Sequence, residues 1–434
     1  MLHAWLTRRV LCSLILSPAS LPSANRYYWL LDVLDLWKPY VWEFGRLSIT
    51  HTMMSKRKLR FLVEEGYVRG WDDPRLPTLY GLERRCVLIL SFLLASFLNI
   101  FLVSLYRGIR ANAINAFCDE ISVTRTTGIL IPSHRLHHCA RNALNGEASR
   151  CMSVMAPLKV TLTNWGALHS GDEAATEWIE GERGHFPGRR GPRTLHVDRA
   201  PRQDMRSLSN AAPSPPSVSS HRATPPVADF PAIPERGSHR VAMSKTVYIE
   251  RSDFKSTDEK SFFGLAPGKT VHLKYAHDIK CTDVVVDASG AVVSLNATVV
   301  TAAEAEAAAA AAAPVSKKKA RKKGNLHWVS APGGQAPPTA EVRLYDELFT
   351  IEDTSKMPAG ESWLEHINPK SEIVIRGVML DGSILAATAK KGDAYQFERL
   401  GYFVVDKDSR GGANGLVFNR TLSLKAAKIV KKKM

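Results

Sequence analysis

From Val247 to Leu424 the chain is a series of short runs rich in Val, Ile, Tyr and Phe. Turn signals cut them: Ala266-Pro267-Gly268, Asp287-Ala288-Ser289-Gly290, Asn368-Pro369 and Asp381-Gly382. Strands at this spacing predict small antiparallel barrels or sandwiches rather than a parallel sheet. Upstream the pattern changes repeatedly. Leu30, Leu31, Val33, Leu34 and Leu36 form a helix-like apolar cluster, and Cys86 to Tyr106 carries no charge at all. By length and composition that run is a transmembrane helix candidate. Residues 166–226 hold few large apolar side chains and much Pro, Ser, Arg and Gly. Such a segment buries too little surface to offset its ordering entropy and reads as disordered. Ala302 to Ala313 is almost pure alanine and runs into Lys317-Lys318-Lys319-Ala320-Arg321-Lys322-Lys323, a low-complexity insertion at a hairpin tip. Residues 1–25 have the outline of a presequence, with Arg8-Arg9 ahead of a short apolar run from Val10 to Leu16.

Composition adds two constraints. The 434 residues carry a formal net charge of +16, which suits a polyanionic partner, nucleic acid or an anionic membrane surface. The six cysteines are scattered with no Cys-x-x-Cys pair, which argues against a zinc site and a disulfide framework and fits a reducing compartment. His134, His137 and His138 share a helical face by spacing. With only Cys139 beside them, they read as an exposed helical cluster rather than metal ligands.

Several motifs occur in a fixed order. Met53-Met54-Ser55-Lys56-Arg57-Lys58 is followed by Gly70-Trp71-Asp72-Asp73-Pro74-Arg75, then Asn112-Ala113-Ile114-Asn115-Ala116-Phe117-Cys118. Leu144-Asn145-Gly146-Glu147-Ala148-Ser149-Arg150 leads into Pro157-Leu158-Lys159-Val160-Thr161-Leu162, which reads as a first barrel strand. Val247 to Phe254, His327-Trp328-Val329-Ser330, Val342 to Asp346, Gln396-Phe397-Glu398-Arg399-Leu400-Gly401-Tyr402-Phe403 and Leu416 to Thr421 complete the set. Together they resemble the glutaminyl-tRNA synthetase family of class I, over about three quarters of the chain. Met-Ser-Lys-Arg-Lys resembles that class's second ATP motif, a loop that puts an ammonium on the phosphates as pyrophosphate leaves.

The resemblance implies a multidomain α+β fold. A small helical subdomain bearing the Met-Ser-Lys loop precedes two antiparallel β-barrels of the ribosomal protein L25-like anticodon-binding type. The expected layout is a leader over 1–25, the C-terminal part of a catalytic domain over 26–85 and an apolar insertion over 86–107. A helical subdomain over 108–165 and a disordered insertion over 166–226 follow. The barrels then occupy 227–427, with their own insertion at 301–324, and a basic tail covers 428–434. Lys56 is the expected catalytic cation, with Met54 and Ser55 beside it positioning the loop on ATP, and Mg2+ is expected with the ATP. Arg150, His272, Lys274, Gln396 and Arg399 are the expected anticodon contacts. Gln396 and Arg399 lie three apart, so a turn or bulge must separate them if both face one base. Gly264 stands where the family usually carries Arg ahead of Leu-Ala-Pro-Gly, which puts recognition of the third anticodon base in doubt. The His-Ile-Gly-His motif and its half of the nucleotide fold are absent, so the chain is expected to be an incomplete catalyst. The implied function is ATP-dependent joining of glutamine to tRNA(Gln), by a cytoplasmic monomer with no membrane partner. Glutamyl-tRNA synthetase and a non-catalytic tRNA-binding module are the alternatives.

Overall fold

The structure is a computed structural model. It describes residues 13–16, 28–38, 40–43, 47–85, 111–122, 129–179, 227–229, 238–259, 261–301, 304, 324–357, 360–382, 389–412 and 414–424. The apolar run 86–107, most of 1–25 and of 301–324, and the tail 428–434 lie outside the described residues. Among the described residues no helix is long and apolar enough to cross a membrane.

Part of the expected leader is a strand. β1 (Ser13–Leu16) pairs in parallel with β2 (Tyr40–Glu43). β3 (Ser48–Ile49) leads to helix α1 (Lys56–Glu64), then α2 (Leu79–Arg84) and α3 (Ala111–Ile121). β4 (Leu130–Ile131) returns in parallel beside β3, and α4 (Ser133–Asn145) follows. Ala113, Ala140 and Leu144 of α3 and α4 are buried against Tyr402, Val404 and Leu422, and Leu82 of α2 packs on the same cluster.

The chain then enters both barrels at once. β5 (Ser149–Cys151) and β6 (Ser153–Val154) belong to one, and β7 (Pro157–Leu162) to the other. In β7 Leu158, Val160 and Leu162 are buried while Lys159 is exposed, the period of a strand with one face in a core. Next come β8 (Glu177–Ile179), β9 (Val227–Ala228), β10 (Ser238–His239) and β11 (Val241–Met243). The first barrel is completed by β12 (Thr246–Glu250), β13 (Thr270–Leu273), β14 (Asp278–Val286), β15 (Val292–Val299), β16 (Asn325–Leu326) and β17 (Trp328–Ser330). The second takes β18 (Thr339–Tyr345), β19 (Glu372–Leu380), β20 (Ala394–Phe397), β21 (Gly401–Val405) and β22 (Leu416–Ser423).

Each barrel is a seven-stranded sheet, ordered β16-β13-β14-β15-β7-β12-β17 in the first and β5-β20-β21-β22-β18-β19-β6 in the second. In both, the two edge strands are consecutive in the chain. One residue separates them: His327 between β16 and β17, Met152 between β5 and β6. A single linking residue forces the edges together, so each sheet curls into a nearly closed barrel and its edges are protected. Met152, the link between β5 and β6, and Val154 of β6 are buried in the core of the first barrel although those strands serve the second, which joins the two units. The second core centres on Phe397, stacked on Phe403 at 4.3 Å and edge-on to Phe418 at 5.2 Å.

Three expectations need correction. The barrels are mixed rather than purely antiparallel. β7–β15 and β13–β16 are parallel in the first, β5–β20 and β18–β22 in the second. Parallel neighbours arise because strands distant in sequence are brought back by long connections. The block 227–427 is also not self-sufficient, since β5, β6 and β7 precede it and β7 lies in the middle of its sheet. Finally, the break expected over 166–226 begins with ordered chain as far as residue 179, while 180–226 lie outside the described residues. β8 pairs with β11, and buried Trp165 donates from Nε1 to the Ala175 carbonyl at 3.0 Å. One buried indole and a short strand pairing anchor a stretch whose composition is otherwise poor in core residues.

Candidate nucleic-acid interface

Four of the five expected anticodon residues converge where the barrels meet. Arg150 of β5 is the register partner of Gln396 in β20, and the pairing is parallel, so both side chains leave the same face. Gln396 is only 6 % exposed, and its Oε1 has no hydrogen-bond partner among the described residues. A buried amide oxygen without a donor is costly, and a base edge brought to it would supply one.

Arg399 sits in the β20–β21 turn at φ +66°. That turn resolves the three-residue spacing: the strand carries Gln396 and the turn carries Arg399. The side chain reaches across to the first barrel. Nη1 and Nη2 donate to the two carboxylate oxygens of Asp253 at 2.5 and 2.8 Å, and Nη1 also lies 3.2 Å from Nδ1 of His327. A guanidinium has five donors in a rigid fork. Asp253 and His327 take both hydrogens of Nη1 and one of Nη2, which leaves the Nε–H and the second Nη2 hydrogen side by side. Among the described residues nothing occupies that edge, and it matches a planar pair of acceptors.

Lys274 and Tyr275 close the cluster from the first barrel. Lys274 Nζ lies 2.6 Å from Glu398 Oε2, and the Tyr275 hydroxyl donates to Glu398 Oε1 at 2.8 Å. Tyr275 is also left-handed at φ +66°. Burial, then the Glu398 carboxylate, pushes its phenol well above the usual range, with Arg150 acting against them. His272 stands apart: its Nδ1 bonds Asp278 Oδ1 at 2.8 Å, and no described contact links it to the other four. Sequence reasoning missed Asp253, Tyr275, His327 and Glu398. The available signal was a charged or polar residue just beyond the end of an apolar strand run, as for Glu398, Asp253 and His327, all of them buried.

Gly264 has a steric reason. A Cβ there would stand 2.2 Å from the Asp253 carbonyl oxygen and 2.3 Å from the Phe262 ring. An arginine at 264 is incompatible with the loop that presents Asp253 to Arg399.

The second expected site is the start of α1. Ser55 is its N-cap without a side-chain cap bond, and no acidic residue occupies the first turn. Lys56, Arg57 and Lys58 fill it instead. Cations at this end oppose the helix dipole, while the exposed N–H groups favour an anion. Lys58 lies over the Trp363 ring at 5.5 Å, and no hydrogen bond or ion pair among the described residues engages Lys56. Met53 is buried but Met54 is 51 % exposed. Leu59 and Leu62 anchor the helix against Leu348 and Phe349 of the second barrel.

Comparison with known proteins covers the regions that hold both clusters. A family model described as tRNA synthetases class I (E and Q), catalytic domain, matches residues 20–146. Two models described as anti-codon binding domains of the same class match 212–300 and 325–406. A probable glutamine–tRNA ligase of Dictyostelium discoideum is 38 % identical over 93 % of this chain. The cytoplasmic glutamine–tRNA ligase of Arabidopsis thaliana is 38 % identical over 92 %, and that of Vibrio campbellii 33 % identical over 92 %. The chain belongs to the glutaminyl-tRNA synthetase family. It spans 39 % of the first two relatives and 55 % of the third. The anticodon-binding matches fall on β9–β15 and on β16–β21, and the catalytic-domain match contains α1 and its basic first turn.

Proposed function

We propose that this chain carries the tRNA-recognising part of a glutamine–tRNA ligase, with a segment of its ATP site. The observation behind this reading is the barrel junction. Arg399 is fixed by Asp253 with one guanidinium edge free, beside Arg150 and an unsatisfied Gln396 oxygen. Sequence-specific RNA recognition holds splayed bases by hydrogen bonds to their edges, and rigid side chains lose little entropy in doing so. Arg150, Gln396 and Arg399 read an anticodon base of tRNA(Gln), and Lys274 adds positive charge nearby. His272, bonded to Asp278, serves a separate contact on the same partner.

Lys56, with Met54 and Ser55, would hold the phosphates of ATP, which brings its own Mg2+, at the start of α1. There the ammonium stabilises charge that develops on the phosphates when glutamine attacks. The barrels are of the L25-like type, and the protein acts in the cytoplasm as a monomer. Arg399→Ala should weaken binding of glutamine tRNA by about 1–3 kcal/mol. It should also narrow the gap between that tRNA and one with an altered anticodon. Unchanged preference in a filter-binding titration at fixed salt would remove Arg399 from base recognition.

A further inference from the structure

Adjacent arginines at the end of α2 meet opposite surroundings. Arg84 is compensated by Asp406 at 3.1 Å, Asp408 at 2.5 Å and Asp72 at 3.2 Å. Arg85, one residue on, lines a cavity of about 50 Å³ between α2, α3, α4 and β22, with His137 and Thr421. Its residue keeps some surface, but the guanidinium is desolvated, and among the described residues it makes no hydrogen bond or ion pair. Burial holds it below its usual range; the Glu347 carboxylate opposes this, Arg420 adds to it, and Asp346 opposes it more weakly. Burial followed by Arg85, Arg141 and His134 pushes His137 down to about 3, so that imidazole is neutral and contributes no charge at neutral pH.

Two carboxylates, Glu347 and Asp346, attract the Arg85 guanidinium from a distance without bonding to it, and their described hydrogen bonds go elsewhere. Glu347 accepts from the Ser133 hydroxyl at 2.8 Å, and Asp346 accepts from the Glu347 amide at 2.9 Å. A second group in the cavity also lacks a partner. Thr421 is 4 % exposed and its Oγ1 makes no hydrogen bond among the described residues. The register of β21 and β22 shifts between Tyr402 and Phe403, opposite this residue. A bulge re-aims side chains, which explains how Thr421 and Leu422 both face the cavity.

A desolvated guanidinium without a hydrogen-bond partner and a buried hydroxyl without one are each costly. One ligand relieves both. We propose that this cavity binds a phosphate oxyanion between Arg85 and the Thr421 hydroxyl, with Arg420 adding long-range attraction. In the tRNA-bound protein the oxyanion is a backbone phosphodiester, an assignment that rests on the proposed function. The site is distinct from the barrel junction, because it lies on the helical side of β22.

The test uses the full chain, inorganic phosphate and glutamine tRNA. Phosphate should raise the Tm of the wild type more than that of Arg85→Met or Thr421→Val, whose response measures the general salting effect of phosphate. His137→Glu, which places a carboxylate in the cavity, should also abolish the specific response while raising basal Tm. Arg85→Met and His137→Glu should each lower the slope of log affinity for tRNA against log salt by about 1, while Thr421→Val, which removes no charge, should weaken tRNA binding with the slope kept, all three with anticodon preference intact. If phosphate stabilises the wild type specifically but the slope is unchanged, free phosphate is the ligand and the tRNA assignment falls. If neither the phosphate response nor the slope differs between wild type and variants, the site itself is refuted. A wild type that binds no tRNA overturns the proposed function alone, since the phosphate arm still reads the cavity.

Discussion

Arg399 and Tyr275 hold a backbone conformation that glycine tolerates and other side chains resist, both at φ +66°. Such strain persists where surrounding contacts over-determine it, and here those contacts are Asp253 and Glu398. The arrangement leaves no room at position 264. Gly264→Arg, the residue the family resemblance leads one to expect here, should destabilise the fold by about 1–3 kcal/mol through overpacking and loosen Arg399 with it. Thermal unfolding together with anticodon preference would check this. A variant as stable as the wild type would mean that the Asp253 loop rearranges freely. The turn between Gln396 and Arg399 was legible in the sequence, because three residues cannot separate two side chains on one strand face. The clasp to Asp253 was not, because it joins residues 146 apart in the chain.

At the scale of elements, α1 is a helix whose first turn works against its own stability. Lys56→Glu should replace an unfavourable charge at the dipole's positive end by a favourable one, worth about 0.3–1 kcal/mol. The Tm should rise slightly while any phosphate contact by Lys56 is lost. A fall in Tm would show that Lys56 is structural. The β8 extension carries a pH-sensitive contact. His277 Nε2 lies 3.2 and 3.1 Å from the two Glu177 oxygens, and His169 lies 3.8 Å from the same carboxylate. The hydrogen bond to Glu177 raises the His277 pKa, burial opposes it, and the charges of Glu177 and Asp278 add to the rise. A raised folded pKa contributes stability below about pH 6.5, and that stability is lost as pH rises through the folded value. Amides of Glu177–Ile179 should therefore exchange faster above that window, after correction for intrinsic rates, and Glu177→Gln should remove the dependence. Identical protection factors on both sides would exclude the contact as a latch. Strand runs were readable from period-two burial, as in β7, whereas this extension was not, since its anchor is one tryptophan in a polar stretch.

Over the whole molecule, the two barrels are interleaved rather than consecutive. Residues 149–162 supply both edge strands of the second barrel and an interior strand of the first, between β15 and β12. A fragment beginning at residue 227 retains every other barrel strand and, of the expected contacts, His272, Lys274, Gln396 and Arg399, yet it cuts the first sheet in two and opens the second. It also loses Val154, Leu158, Val160 and Leu162, all fully buried. At roughly 1.5–3 kcal/mol for each large buried side chain, that loss is comparable with the entire 5–15 kcal/mol of a typical domain. A fragment beginning at 147 keeps all of it. The longer fragment should unfold cooperatively in urea and bind glutamine tRNA with a steep salt dependence. The shorter should show a broad, non-cooperative transition and bind only weakly. Equal midpoints and equal slopes for the two would show that β7 is dispensable and that each barrel closes without the strands the chain lays down before residue 166.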